Sequence, residues 1–202
     1  MEQTFFNYDL KPNLDIENFF VGKSNSQAFD LLINEKLKFN NYFLFGPSKS
    51  GKTHLSVIWK NKYQALIFDN NFDEILDNKY SILIDNIFSN ISEEKIFHII
   101  NHCAQNNLKI LITSNFLLND YNFKLKDLSS RLKTFINVNI DLPDDELLIN
   151  LMVKLFHDKQ IIVKNPEIFN YIINRVQRSY EKIFLIVNKI DKILLKKNKQ
   201  LT

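Results

Sequence analysis

The chain has 202 residues, of which 45% are hydrophobic and 24% charged, and its formal net charge is +3. This composition is typical of one sizeable folded core and excludes a disordered tail or a miniature scaffold. Its single cysteine, Cys103, excludes a disulfide framework, and no apolar run approaches the roughly 18 to 20 residues that span a bilayer. The charge is too small to indicate a nucleic-acid partner by itself, and we expect a cytoplasmic protein without a membrane span.

In chain order, a polar and aromatic arm (residues 1–22) comes before a helix that we predict over residues 24–37. Short apolar runs then alternate with helical patterns, a rhythm typical of a parallel α/β sheet with helices on both faces. The strands are apolar on both sides, as such a sheet requires. The predicted strands are 42–45, 65–69, 81–85, 109–113 and 136–140, and the predicted helices between them are 52–61, 71–76 and 92–106.

After Pro143 the pattern becomes purely helical. Apolar residues from Leu147 to Phe156 keep one helical face, Pro166 is predicted to open a second helix, and residues 180–196 a third. The sequence therefore predicts an arm over residues 1–22, an α/β core over 23–140 and a small all-helical lid over 141–202.

The segment from Gly46 to Thr53 satisfies the pattern G-x-x-x-x-G-K-[ST] between an apolar strand and an amphipathic helix. In this pattern the backbone amides surround phosphate oxygens, the lysine neutralises the outer phosphates and the hydroxyl ligates Mg²⁺. An ordinary strand–turn–helix is disfavoured by the complete match. The candidate nucleotide-binding residues are Gly46, Pro47, Ser48, Lys49, Ser50, Gly51, Lys52 and Thr53.

A second group of candidates lies at the ends of two other predicted strands. Asp85 is the candidate metal-side carboxylate, because ligands bind at the carboxyl ends of strands in open α/β sheets. Asn86 follows it, and a carboxamide cannot accept the proton of an attacking water, so we expect slow intrinsic ATP hydrolysis. The segment Thr113-Ser-Asn115 could reach the γ-phosphate, although a simple strand-end turn explains it equally well.

Together these residues resemble the DnaA branch of the AAA+ ATPases, and most closely the Hda proteins, from about Asn18 to Asp191. The resemblance implies an AAA+ core that binds ATP or ADP with Mg²⁺. It places Phe20 and Val21 in an adenine pocket, His54 in the continuation of the phosphate loop and Asn115 at sensor 1. The pattern Ile84-Asp-Asn-Ile87 looks more like Hda than DnaA, which usually has two adjacent acids there.

The same resemblance assigns the arginine finger, which acts on a partner's nucleotide in trans, to Arg131 within Asp127-Leu-Ser-Ser-Arg-Leu132. A surface arginine is the plainer alternative. One departure concerns sensor 2, where Glu181 stands in place of the usual arginine. Either Lys182 or Arg178 takes over this contact with the nucleotide, or the contact is missing.

The two ends of the sequence suggest partners. The segment containing Gln3, Phe5 and Phe6 is a loose version of the peptide with which Hda proteins bind the DNA polymerase sliding clamp, and an ordinary disordered terminus is an equal alternative. Residues 189–199 are lysine-rich, for which a solvated helix face is the default interpretation. No helix-turn-helix region follows the predicted lid, so we do not expect sequence-specific origin binding.

The resemblance implies an Hda-type regulator of replication initiation that is loaded by the clamp and stimulates hydrolysis of DnaA-bound ATP. Self-association stays open. A DnaC-like helicase loader is the alternative, disfavoured by the short region before the core, and a helicase pulldown separates the two. A stand-alone metabolic ATPase is disfavoured by Asn86 and Arg131.

Overall fold

A parallel β-sheet forms the centre of the fold. The structure is a computed structural model that describes residues 14–34, 39–68, 72, 75, 79–88 and 91–197. Within these residues five strands run parallel in the order β2-β3-β4-β1-β5. They are β1 (Asn41–Phe45), β2 (Leu66–Ile67), β3 (Ile82–Ile84), β4 (Ile110–Ser114) and β5 (Ile136–Asn139).

Helices cover both faces of this sheet. They are α1 (Ser26–Phe29), which continues as a π-helical turn over Asp30–Asn34, α2 (Lys52–Tyr63), α3 (Glu93–Gln105) and α4 (Lys126–Leu132). Alternate residues of β1 point to opposite sides: Tyr42 and Leu44 pack in the cluster that contains α1 and α2, and Phe43 packs in the cluster that contains α3 and α4. Because strands this apolar on both faces need cover on both sides, the pattern explains the layered fold.

Three further helices form a lid with its own core. They are α5 (Asp145–Asp158), α6 (Glu167–Ile173) and α7 (Tyr180–Lys197). Met152, Phe156 and Ile183 lie at the centre of a hydrophobic cluster made only of lid residues. The carboxylate of Asp144 caps α5 by accepting a hydrogen bond from the amide of Leu147 at 2.8 Å, a frequent way to begin a helix.

Hydrogen bonds join the lid helices to the segment before β1 and to the chain that follows β5. The hydroxyls of Ser24 and Tyr180 are 3.0 Å apart, and the hydroxyl of Tyr180 donates to the carbonyl of Asp141 at 3.4 Å. Lys154 of α5 donates to the carbonyl of Asn18 at 2.6 Å. Burial raises the pKa of Tyr180. Its hydroxyl therefore keeps the proton that it donates to the carbonyl of Asp141.

The parallel sheet covered by helices on both faces is confirmed, and each predicted strand is present, although several are shorter than predicted. The helix predicted over residues 24–37 is described over Ser26–Asn34, while most of the predicted helix 71–76 lies outside the described residues. Helix α4, which has only seven residues, was not predicted from the sequence. No described helix is long and apolar enough to cross a bilayer.

Candidate functional site

A cavity of about 590 Å³ lies between the carboxyl ends of the core strands and the lid. This volume is ordinary for a small-molecule site. Its walls come from four parts of the chain: the amino-terminal segment (Leu14, Asn18, Phe19, Phe20, Asn25), the phosphate loop (Ser48–His54), the strand ends (Asp85, Asn86, Thr113–Asn115) and the lid (Leu147, Leu151, Lys154, Leu155, Asp158, Tyr180, Phe184).

The loop between β1 and α2 depends on its two glycines. Gly51 has a φ of 91°, which side chains with a Cβ resist. A Cβ at Gly46 would lie 2.7 Å from the carbonyl oxygen of Ile140, closer than such atoms approach. The loop therefore keeps a tight turn that leads directly into the first residues of α2, where the free amides and the helix dipole favour an anion.

Lys52, the first residue of α2, folds its side chain back over the loop. Its ammonium donates to the carbonyls of Gly46 at 2.9 Å and Pro47 at 2.7 Å, and the residue is only 8% exposed. Burial lowers the pKa of Lys52 to about 8, while the nearby carboxylate of Asp85 acts in the opposite direction. A polyphosphate at this position would stabilise the charged form that burial disfavours.

Thr53 and Asp85 lie together, as a Mg²⁺ site requires. The hydroxyl of Thr53 donates to Oδ2 of Asp85 at 2.9 Å, and the hydroxyl of Thr113 donates to Oδ1 at 2.6 Å. One carboxylate and one hydroxyl match Mg²⁺, which keeps several waters and takes further oxygens from substrate phosphates. No described cluster of three or more His, Cys, Asp or Glu side chains offers a richer metal site.

The strand ends beside Asp85 are held by further hydrogen bonds. Asn86 has a φ of 58°, and its amide donates to the hydroxyl of Thr113 at 2.8 Å. The hydroxyl of Ser114 donates to the carbonyl of Phe116 at 2.8 Å. Of the three residues considered at the end of β4, Thr113 and Ser114 thus use their hydroxyls within the protein, and Asn115 remains exposed in the cavity wall.

The amino-terminal segment contributes Leu14, Asn18, Phe19, Phe20 and Asn25 to the cavity wall. The side chain of Asn25 fixes it by donating to the carbonyl of Phe20 and accepting from the amide of Gly22, both at 2.8 Å. Phe20 is in the cavity lining and its neighbour Val21 is not, and the contact of either side chain with adenine stays a prediction. Phe19 also lines the cavity.

His54 joins the loop to this segment. Its ring meets the ring of Phe19 edge-on with centroids 5.2 Å apart, and its Nε2 lies 2.8 Å from the carbonyl oxygen of Asp15. Burial lowers the pKa of His54, which favours the neutral ring. The packing arrangement therefore gives His54 a positioning role in the cavity wall.

The lid presents aromatic rings to the cavity. Tyr180 and Phe184, one turn apart on α7, line it, and Glu181 and Lys182 are exposed outside its lining. The guanidinium of Arg178 forms a two-point ion pair with the carboxylate of Asp145. The structure thus brings neither Arg178 nor Lys182 to the position where a sensor 2 arginine was expected.

Arg131 lies away from the cavity, on the exposed side of α4. The carboxylate of Glu93 fixes the start of this helix by accepting hydrogen bonds from the amides of Lys124 and Leu125 at 3.2 and 2.7 Å. Within the described part of the chain, no hydrogen bond or ion pair engages the guanidinium of Arg131. The candidate clamp residues Gln3, Phe5 and Phe6 lie outside the described residues.

The lid residues in the cavity wall were not predicted from the sequence. Tyr180 and Phe184 share one face of α7 at the spacing i, i+4, a signal that was available but indistinguishable from core packing. Lys154, whose ammonium holds the carbonyl of Asn18, had no local signal at all, because its partner lies 136 residues away.

Comparisons with known proteins agree with this fold. No protein-family model matches the chain. DnaA of Buchnera aphidicola subsp. Baizongia pistaciae is 26% identical over 223 residues, which covers 94% of this chain and 49% of that protein. DnaA of Bacteroides thetaiotaomicron is 28% identical over 214 residues, covering 88% and 45%. The chain therefore spans about half the length of the curated relatives it matches.

Solved structures show the same architecture. Domain III of Thermotoga maritima DnaA superposes with a TM-score of 0.75 at 19% identity, over 96% of this chain and 93% of that one. AMPPCP-bound DnaA from Aquifex aeolicus gives a TM-score of 0.69 at 20% identity, over 93% and 67%. The five-stranded sheet with its helices is thus the AAA+ fold of these domains.

Proposed function

We propose that this chain, a DnaA-related AAA+ protein, binds ATP or ADP with Mg²⁺ and stimulates the hydrolysis of ATP bound to DnaA. In this proposal it is a negative regulator of replication initiation of the Hda type. Its own nucleotide is a structural or switching ligand, and the sliding clamp is the partner that brings it to DNA.

The arrangement of Lys52, Thr53 and Asp85 around one cavity is the observation that carries the nucleotide-binding part. Lys52 would neutralise phosphate, and Thr53 and Asp85 would hold Mg²⁺, which screens the phosphate charge when bound. The AMPPCP complex of Aquifex aeolicus DnaA, which has the same fold, supports this assignment.

Asn86 supports the view that this nucleotide turns over slowly. Its carboxamide stands beside Asp85, where a second carboxylate would be needed to accept a proton from water. The amide of Asn86 donates to the hydroxyl of Thr113 at 2.8 Å, which holds this carboxamide residue in the turn beside Asp85. A bound nucleotide would therefore persist.

The position of Arg131 supports the proposed stimulation of ATP hydrolysis on DnaA. Its guanidinium is exposed, outside its own cavity, and mounted on a helix whose start is fixed by Glu93. A planar, permanently charged group suits a transferring phosphoryl group at a subunit boundary better than a lysine does. We propose that Arg131 completes the nucleotide site of DnaA-ATP.

Gln3, Phe5 and Phe6 are proposed to bind the clamp through aromatic anchors on an extended peptide. This assignment rests on their sequence alone. Deleting residues 1–8 should lower the affinity for the clamp, and unchanged binding would refute it.

The central test mixes the protein with clamp loaded on DNA and DnaA bound to labelled ATP. The wild type should convert the label to ADP, and Arg131→Ala should lower the stimulated rate by about 10³-fold or more. Arg175→Ala is the matched control, since Arg175 lies over the ring of Tyr171 in the lid, and should keep the wild-type rate. If the wild type leaves the ATP intact, the proposed regulation is wrong.

A further inference from the structure

Lys49 has a backbone conformation that favours glycine. Its φ is 64°, in the left-handed region. Among the described residues other than glycine, Gln64, Asn107 and Gln160 share this conformation but directly follow the ends of helices or their caps, where left-handed residues are common. Asn86 also shares it, in the turn after β3, but asparagine adopts this conformation more readily than lysine does. Lys49 instead lies in the phosphate loop before α2, where glycine would carry no such strain.

The ammonium of Lys49 faces the lid. It lies 5.8 Å from the centroid of the Phe184 ring, within the range of a cation–π contact. Both residues line the cavity, and Lys49 is otherwise exposed. The contact therefore links the phosphate loop directly to α7.

The other lysines in the cavity wall already have protein partners. The ammonium of Lys52 donates to two loop carbonyls, and that of Lys154 donates to the carbonyl of Asn18. Helix α7 lines the cavity with Tyr180 and Phe184 and adds no cation of its own. A polyphosphate, which carries several negative charges, would thus meet in Lys49 an ammonium that contacts the face of an aromatic ring.

We propose that Lys49 is a second phosphate-binding residue, and that Phe184 positions its ammonium, so that the lid contributes to nucleotide binding through an aromatic ring. This inference rests on the proposed nucleotide binding. It explains why the loop keeps a lysine at a position where its backbone is strained.

Fluorescent ADP and ATP analogues test the role of Lys49. Lys49→Gly should raise the Tm by about 2–4 °C through relief of strain, and should weaken binding of both nucleotides about tenfold. The matched control is Gln64→Gly, which relieves the same strain on an exposed residue outside the cavity. It should raise the Tm similarly and leave both affinities within twofold.

A double-mutant cycle tests the role of Phe184. Phe184→Leu should weaken binding about threefold when Lys49 is present, and should have no further effect in the Lys49→Gly background. Leu185→Ala, on the exposed face of α7, is the control and should change nothing.

The inference is overturned if Lys49→Gly binds both nucleotides like the wild type, or if Phe184→Leu has the same effect in both backgrounds. A wild-type chain that binds neither nucleotide overturns the proposed nucleotide binding itself. The two failures are therefore distinguishable.

Discussion

Lys52 and Arg131 occupy opposite environments on the same α/β core. Lys52 is 8% exposed, donates to two carbonyls of its own loop and faces the cavity. Arg131 is exposed on α4 and lies outside the cavity lining. A buried ammonium is confined to a ligand that enters its own cavity, whereas an exposed guanidinium is open to contact with another molecule. The two cations therefore carry separate parts of the proposed function.

Among the changes that test this difference between Lys52 and Arg131, Lys52→Ala should have the largest effect on nucleotide affinity. Losing a charged contact to phosphate, and the loop conformation that Lys52 holds, should weaken nucleotide binding about 100-fold, equivalent to about 3 kcal/mol. Titration with a fluorescent ADP analogue measures it. Arg131→Ala should keep the wild-type affinity within twofold in the same assay, and an equal loss in both variants would abolish the distinction between the two cations.

A change of pH should have a smaller effect on nucleotide affinity. Because the pKa of Lys52 is lowered to about 8, nucleotide affinity should change little below pH 8 and fall about tenfold between pH 7 and 9 as the ammonium loses its proton. Calorimetry in buffers of different ionisation enthalpy should also show proton uptake on binding near pH 8. A flat profile to pH 9 would show that Lys52 does not supply the charge.

The lowered pKa of Lys52 also affects the stability of the fold, which should rise with pH over the range in which nucleotide affinity falls. The folded pKa lies below the ordinary value of 10.5, so the unfolded chain binds more protons between these values. The cost of burying the charged Lys52 is therefore fully present below pH 8 and is relieved as the pH rises towards 10.5.

A third prediction concerns the free energy of unfolding and the polar network that holds Asp85. Thr113→Val removes the hydroxyl that donates to Asp85 and accepts from the amide of Asn86, and should cost about 2 kcal/mol, or about 4–8 °C in Tm. Thermal unfolding measures it. Thr113→Ser keeps the hydroxyl and should lose less, and equal losses would indicate that packing, rather than hydrogen bonding, matters at this position.

The sequence predicted those parts of the molecule whose pattern lies in residues that are adjacent along the chain. The strands were visible because each is a short apolar run between polar segments, and the phosphate loop because its eight residues are contiguous. Asp85 could be placed beside Thr53 by topology alone, since both follow parallel strands, and the two side chains lie 2.9 Å apart.

The parts that escaped prediction depend on distant residues. Helix α4 is too short for a periodic pattern to separate it from a loop, and it is fixed by Glu93, about 30 residues earlier. The lid contacts of the cavity pair residues more than 130 positions apart. Nothing local distinguishes Phe20, which lines the cavity, from its neighbour Val21, which is outside the lining.

The bonds that Ser24 and Asn18 make to Tyr180 and Lys154 have a consequence for the order of folding. They join residues 156 and 136 positions apart, so the cavity closes only after nearly the whole described chain has been synthesised. Contacts of such high sequence separation form late, because loop closure must precede them. The sheet can assemble on the ribosome, but a ligand that needs both walls can stabilise only the finished protein.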